Sequence, residues 1–390
     1  MALDPQSCTN RLLELMILLG CVQLIFAAAL VQYYVRRRRA RPCLSFPPVS
    51  ILVPLHGSEP GLFNRLAALC QQNYAGPVQL VLGTRTHGDV IETVQRLKAA
   101  FPSVPVVYLS DHREHGSSRK LSNLINMMAF VDHDHLVFAD SDVQVDANYL
   151  ASVIAELQQP GIEAVSCLYR ATAEGGFWDR LAALSINADF LPQVIVAMTC
   201  RLAQPCLGPT IAMRRQMLNR IGGLTRFADF LGADYLIGQA VRSCGGKVAF
   251  APITIECVCF ETSGSELFAR QLRAARTIKT IKPLGHAGSV ITHPLPLAML
   301  DVLLNSPSGF LLAAAAVSCR MLLYFSVERA FGSGRRQYHL IPLQDLIAFA
   351  AFVASFFGRT VTWRGLKYRL GSSLRMVQVN ADANYRYPKR

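Results

Sequence analysis

Two apolar patterns divide the chain. Positions 12–31 are apolar almost without a break, interrupted by Glu14 and Gln23, and about 20 such residues let a helix cross a hydrocarbon layer. Arginines at 36–39 and 41 follow at once. A cleaved leader carries its charge before the apolar run, so this order predicts a signal-anchor with the chain from Arg36 onward in the cytoplasm. From residue 48 short apolar runs alternate with longer amphipathic ones. Strands are predicted at 49–55, 78–83, 104–109 and 135–139, and helices at 61–73, 90–100 and 120–130. That alternation predicts a parallel sheet with right-handed crossovers, whose ligands bind beyond the carboxyl ends of the strands.

The last third turns apolar again, at 294–304, 309–327 and 341–357. The first run is too short to span and reads as interfacial or as half of a bent hairpin. The other two are expected to form a hairpin that returns a basic tail (Arg359, Arg364, Lys367, Arg369, Arg375) to the cytoplasm. Arg320 inside one run, and Arg329, Arg335 and Arg336 in the loop, sit awkwardly with that hairpin. The expected organisation is an anchor and basic flank at 1–47 and a catalytic domain at 48–264. A basic interfacial helix region at 265–293, membrane segments at 294–358 and the tail at 359–390 complete it. Residues 177–197, with Trp178, fit a core helix or one lining a lipid-acceptor groove.

Composition agrees with a membrane protein: 52% of the 390 residues are hydrophobic and 17% charged, with mean hydropathy +0.28. The formal net charge of +13 suits nucleic acid or anionic lipid. No helix-turn-helix, zinc-finger or RNA-binding signature is present, and the basic blocks flank apolar runs, so lipid is the expected partner and nucleic acid is not. The 11 scattered cysteines argue for reduced thiols in a cytosolic domain. His133 and His135 lack a third ligand nearby and read as a surface loop. Neither a dinucleotide fingerprint nor a Walker loop occurs.

Chemistry is expected at acids beside the crevice. Asp140-Ser141-Asp142 directly follows the strand at 135–139. Two carboxylates there suit Mg²⁺ or Mn²⁺, hard cations that also take substrate phosphates, although a solvated turn has the same composition. Asp89, after the second strand, reads as a nucleotide contact or a helix cap. The loop at 116–123 leads Lys120 and Asn123 into a helix whose start suits a phosphate. Asp234, just before a helix at 235–242, reads as a cap or as a general base for an acceptor hydroxyl. Arg270, Arg273, Arg276 and Lys279 lie on a basic helix at 266–279, facing headgroups or a leaving diphosphate.

Taken in order, HGSSRKLSNLINMM, FADSDVQVDANYL, CLYRATAEGGFWDRLAALSINADFLP and GSVITHPLPLAML resemble family 21 inverting glycosyltransferases. These are the ceramide glucosyltransferase relatives of the family 2 group, and the bacterial hopanoid-associated branch is the nearer resemblance. It covers roughly residues 48–300 and implies a GT-A Rossmann-like nucleotide-sugar domain. By the same resemblance, Asp89 contacts the nucleotide, Asp140 and Asp142 hold the metal and diphosphate, and Asp234 is the catalytic base. Arg270 and Arg273 match the basic part of a [QR]xxRW motif, but Ala274 stands where the family has tryptophan, and Ala233 where it has an acid. The implied reaction moves one sugar from a UDP-sugar to a lipid hydroxyl at the inner (plasma) membrane. UDP-N-acetylglucosamine and bacteriohopanetetrol are implied for the hopanoid branch, UDP-glucose and ceramide for the other. A processive polysaccharide synthase and a non-catalytic nucleotide-sugar-binding scaffold are the competing readings.

Overall fold

A computed structural model gives the fold and describes residues 5–85, 88, 90–304, 307–332, 337–363, 365–371 and 373–379. The region that follows the anchor is built on one sheet. Its strands in chain order are β1 (Val49–Pro54), β2 (Val78–Thr84), β3 (Val106–Ser110) and β4 (His135–Ala139). There follow β5 (Val143–Gln144), β6 (Ile162–Ala173), β7 (Thr210–Arg214) and β8 (Lys247–Cys259). They lie side by side as β3-β2-β1-β4-β7-β6-β8-β5. The first four run parallel, as the alternating pattern requires. Every residue of β1 is buried, because helices cover both faces of this half and a continuous apolar run is what such a strand needs.

The other half differs from the all-parallel expectation. β7 pairs antiparallel with both β4 and β6, while β6 and β8 run parallel. The connection from β6 to β7 is the Phe177–Thr199 helix, which carries a π turn at Ile186–Phe190. The Asn187 amide there donates to the Ala171 carbonyl and accepts from its N–H, both at 2.8 Å. That side chain ties the π turn to the backbone of β6.

Among the described residues, four helices are long and apolar enough to cross a membrane: Thr9–Arg37, Phe177–Thr199, Gly309–Phe331 and Tyr338–Ser355. The first and third pack alongside each other in the same direction. Glu14 meets Ser308 near one end. Gln32 donates to the Ser326 carbonyl at 2.7 Å near the other, and Ser326 donates to the Ala28 carbonyl at 2.8 Å. The short Pro294–Leu303 helix supplies the returning arm, with Leu295, Leu297 and Ala298 buried against Leu13, Ile17 and Cys21. The hairpin therefore forms between 294–303 and 309–331, not between 309–327 and 341–357. The Ile341–Ser355 helix instead lies along the basic Gly264–Ile281 helix.

Arg320 is accommodated by charge. Its guanidinium donates to Asp345 at 2.8 and 3.0 Å and lies 3.7 Å from Asp189, so the buried cation is matched. The segment read as a tail also folds. β9 (Thr360–Trp363), β10 (Leu366–Leu370) and β11 (Met376–Gln378) make an antiparallel sheet in the order β11-β10-β9. It packs Val361, Tyr368, Leu370 and Met376 with Leu231 of the main-sheet domain.

Candidate active site

A cavity of 1260 Å³ opens at the carboxyl ends of β1, β2 and β4. Asp140 stands at the end of β4 and forms an ion pair with Lys120. Lys120 is in the first turn of the Arg119–Met127 helix, which the Ser118 hydroxyl caps by accepting from the Leu121 N–H at 3.3 Å. Asp142 leaves Oδ1 buried with no hydrogen-bond partner. Burial, then the charges of Asp140 and Glu59, push its pKa up to about 7, against the pull of Lys120 and Arg270. Carboxylates crowded together, one with an orphaned oxygen, are what a divalent cation would relieve. Among the described residues no three His, Cys, Asp or Glu side chains are arranged to hold a metal by themselves. A cation here would need substrate oxygens or water to complete its shell, the usual habit of Mg²⁺.

The turn carrying these acids is held from behind. Arg65, almost fully buried, donates to the Ser141 carbonyl at 2.7 Å and the Pro60 carbonyl at 2.7 Å. Glu59 accepts from the Ser141 hydroxyl at 3.2 Å and from Arg65 at 3.4 Å.

Asp234 opens into the same cavity. Its Oδ2 accepts from the Gly208 N–H at 3.0 Å, while Lys120 Nζ donates to the Gly208 carbonyl at 3.2 Å. One residue thus ties the base candidate to Lys120. Gly232, at φ 67°, turns the chain into the Ala233–Ser243 helix and places Asp234 in its first turn. Burial raises the Asp234 pKa; the Lys120 charge and the backbone N–H groups of Tyr235 and Gly208 lower it, and Asp140 raises it.

The basic helix divides its side chains differently from expectation. Arg270 donates to Glu261 at 2.6 Å and to Cys259 Sγ at 3.4 Å, and Arg273 to the Thr362 carbonyl at 3.4 Å; both line the cavity. Arg276 instead donates to the carbonyls of Ala354, Phe357 and Thr360, and Lys279 to that of Ser355. These two cations satisfy the open end of the Ile341–Ser355 helix, where the backbone dipole is negative, and neither lines the cavity.

A family model described as glycosyl transferase family 21 matches residues 13–376. The chain belongs to glycosyltransferase family 21. Relatives include ceramide glucosyltransferase 1 of Caenorhabditis elegans, 20% identical over 61% of this chain and 52% of that protein. An N-acetylglucosaminyltransferase of Azorhizobium caulinodans is 21% identical over 59% of each. The chain spans about half the length of these curated relatives. The mannosyltransferase PcManGT from Pyrobaculum calidifontis, solved with GDP-Man and Mn²⁺, superposes with TM-score 0.53 at 20% identity, over 88% of this chain and 99% of that one. The likeness at that identity is one of fold, and the fold is GT-A.

Within this family 21 glycosyltransferase, Lys120, Asn123, Asp140, Asp142, Asp234, Arg270 and Arg273 line one cavity. Asn123 spends its amide on the Gly83 carbonyl at 2.8 Å, holding the end of β2, and leaves Oδ1 buried and unpartnered. Asp89 lies outside the described residues. His133 and His135 sit at the opposite end of β4 from Asp140. The ten described cysteines are free. Sequence reasoning passed over Glu59, Glu261 and Trp363, which also line the cavity. Glu59 had a signal, since it follows β1 where ligands of such sheets bind.

Proposed function

We propose that the protein transfers one sugar from a UDP-sugar to a hydroxyl of a membrane lipid, with inversion at the anomeric carbon. The observation that carries this reading is the shared cavity, in which Lys120 touches both Asp140 and the Gly208 peptide that holds Asp234. Asp140 and Asp142 would hold a divalent cation, Mg²⁺ or Mn²⁺, which when bound neutralises charge on the departing diphosphate. Lys120 adds a cation at the same end. Asp234 accepts the proton of the attacking lipid hydroxyl, and one displacement needs one such base and no protein nucleophile. Asp89 is assigned to the nucleotide on the family resemblance.

N-acetylglucosamine and a polyhydroxylated hopanoid such as bacteriohopanetetrol are the preferred donor sugar and acceptor. Glucose and ceramide are the alternative, supported by the C. elegans relative. The arginines that follow the anchor support a cytoplasmic catalytic domain at the inner membrane.

Membranes containing the protein, given labelled UDP-N-acetylglucosamine or UDP-glucose with each lipid and Mn²⁺, should yield a single-sugar lipid. Asp234→Asn should lower turnover by about 10²–10⁴-fold, the usual worth of a general base, while UDP–Mn²⁺ binding persists. Long labelled polymer would favour a processive synthase. Full activity in Asp234→Asn would remove the proposed base, and biological function without any transfer would favour a scaffold.

A further inference from the structure

The cavity wall on the Asp234 side is completed by a part of the chain outside the nucleotide fold. Trp363 ends β9 and lines the cavity with Arg273 and Ala274. The Arg273 guanidinium stacks over the indole at 5.9 Å and donates to the neighbouring Thr362 carbonyl at 3.4 Å. Position 274, next to that arginine, carries only a methyl group, so the indole reaches this wall from another element.

The sheet bearing Trp363 is fixed to the approach to Asp234. Leu231 N–H donates to the Leu374 carbonyl at 2.9 Å, and Met376 N–H to the Asp229 carbonyl at 2.7 Å. The space at Gly232 is bounded by Thr277 and Leu374 side chains. At its other end β9 emerges from the apolar Ile341–Ser355 helix, where Arg276 joins the Thr360 carbonyl to those of Ala354 and Phe357. Trp363 therefore lines the cavity that Asp234 opens into, on a strand that follows an apolar helix. The residues suited to the donor, in the turn after β4, the loop after β1 and the start of the Arg119–Met127 helix, line the same cavity.

We infer that Trp363, backed by Arg273, is the platform on which the hydroxylated head of the acceptor lipid rests as its hydroxyl meets Asp234. The assignment rests on the transferase reading above. A rigid indole offers apolar surface for the carbon skeleton of a polyol head, and the guanidinium over the ring fixes its orientation. A residue with this role acts on acceptor affinity and leaves the donor untouched.

The test uses the full-length protein in detergent with Mn²⁺, and as acceptor whichever of bacteriohopanetetrol or short-chain ceramide the unaltered protein glycosylates. Trp363→Ala should raise the acceptor KM about tenfold, the scale of one well-placed aromatic contact, with the UDP-sugar KM within twofold of the parent. Trp363→Phe should recover most of the loss. Equal changes in both KM values, or a change in kcat alone, would overturn the assignment and leave the transferase reading standing. Should Trp363→Ala fail to fold, Trp363→Phe and Trp363→His decide it: an acceptor KM the same in both as in the parent overturns the assignment. If the unaltered protein glycosylates neither lipid, the underlying reading fails and this one with it.

Discussion

Asp234, the proposed base, has its availability set by its neighbours. Burial favours its neutral form, so its pKa lies above that of an ordinary aspartate, and Lys120 pulls it back down. The ionised form accepts the proton, so activity should fall as pH drops through this raised value. Removing the lysine charge removes a downward pull, and the pKa must climb. Lys120→Met should therefore move the acid limb of kcat/KM to higher pH, besides lowering the rate through weaker hold on the diphosphate. A pH–rate profile at saturating Mn²⁺ checks this; a limb that stays put or moves to lower pH would show that the two groups are not coupled. Asp140, Asp142 and Asp234 were legible because each follows a strand or opens a helix in a recognisable order. Trp363 was not, because its place beside Arg273 is made by a contact across 90 residues of sequence that no local spacing records.

Elements were legible where burial is uniform. β1, β2 and β4 are nearly all buried and read as short apolar runs, and the predicted 135–139 strand coincides with β4. β6 and β8 mix buried with half-buried positions over 12 and 13 residues, which blurs the two-residue period. The C-terminal sheet did carry a signal. In Leu366–Leu370 the buried Tyr368 and Leu370 alternate with exposed Lys367 and Arg369, a half-buried strand pattern hidden by reading the basic residues as a tail. Arg320 was the converse case, a charge that argued against an apolar helix until its partners on other helices were seen. Its side chain is 1% exposed and that of Asp345 4%. Arg320→Met strands a buried carboxylate and should destabilise the protein by about 3–5 kcal/mol, whereas replacing both partners by apolar residues of similar size should be close to neutral. Thermal unfolding of Arg320→Met, Asp345→Leu and the double variant in detergent measures this. A double variant no more stable than the worse single one would mean that the pair holds the helices by more than mutual neutralisation.

Connectivity limits how the whole molecule can sit in a bilayer. The Phe177–Thr199 helix is long enough to cross, but it joins β6 to β7, which lie side by side in one sheet. A single crossing between them would separate the two strands, so this helix stays with the catalytic domain, half buried against it. Gly309–Phe331 runs in the same direction as the anchor, and its last turn sits by Gln32 near the catalytic domain. Arg329 then lies at the same end as the arginines at 36–39, which the positive-inside rule favours and the originally expected hairpin did not allow. The turn at Ser308 lies at the other end of the helix pair, beside Glu14. Single cysteines introduced at Lys98, Arg329 and Pro307, in a background lacking the exposed Cys200, separate the two arrangements. A membrane-impermeant maleimide should label the first two from the cytoplasmic face of inverted vesicles. Pro307→Cys should resist that label, being either within the bilayer or on its far side. Labelling of Lys98→Cys and Arg329→Cys from opposite faces would restore the hairpin between 309–327 and 341–357. It would also break the parallel packing on which the short returning helix depends.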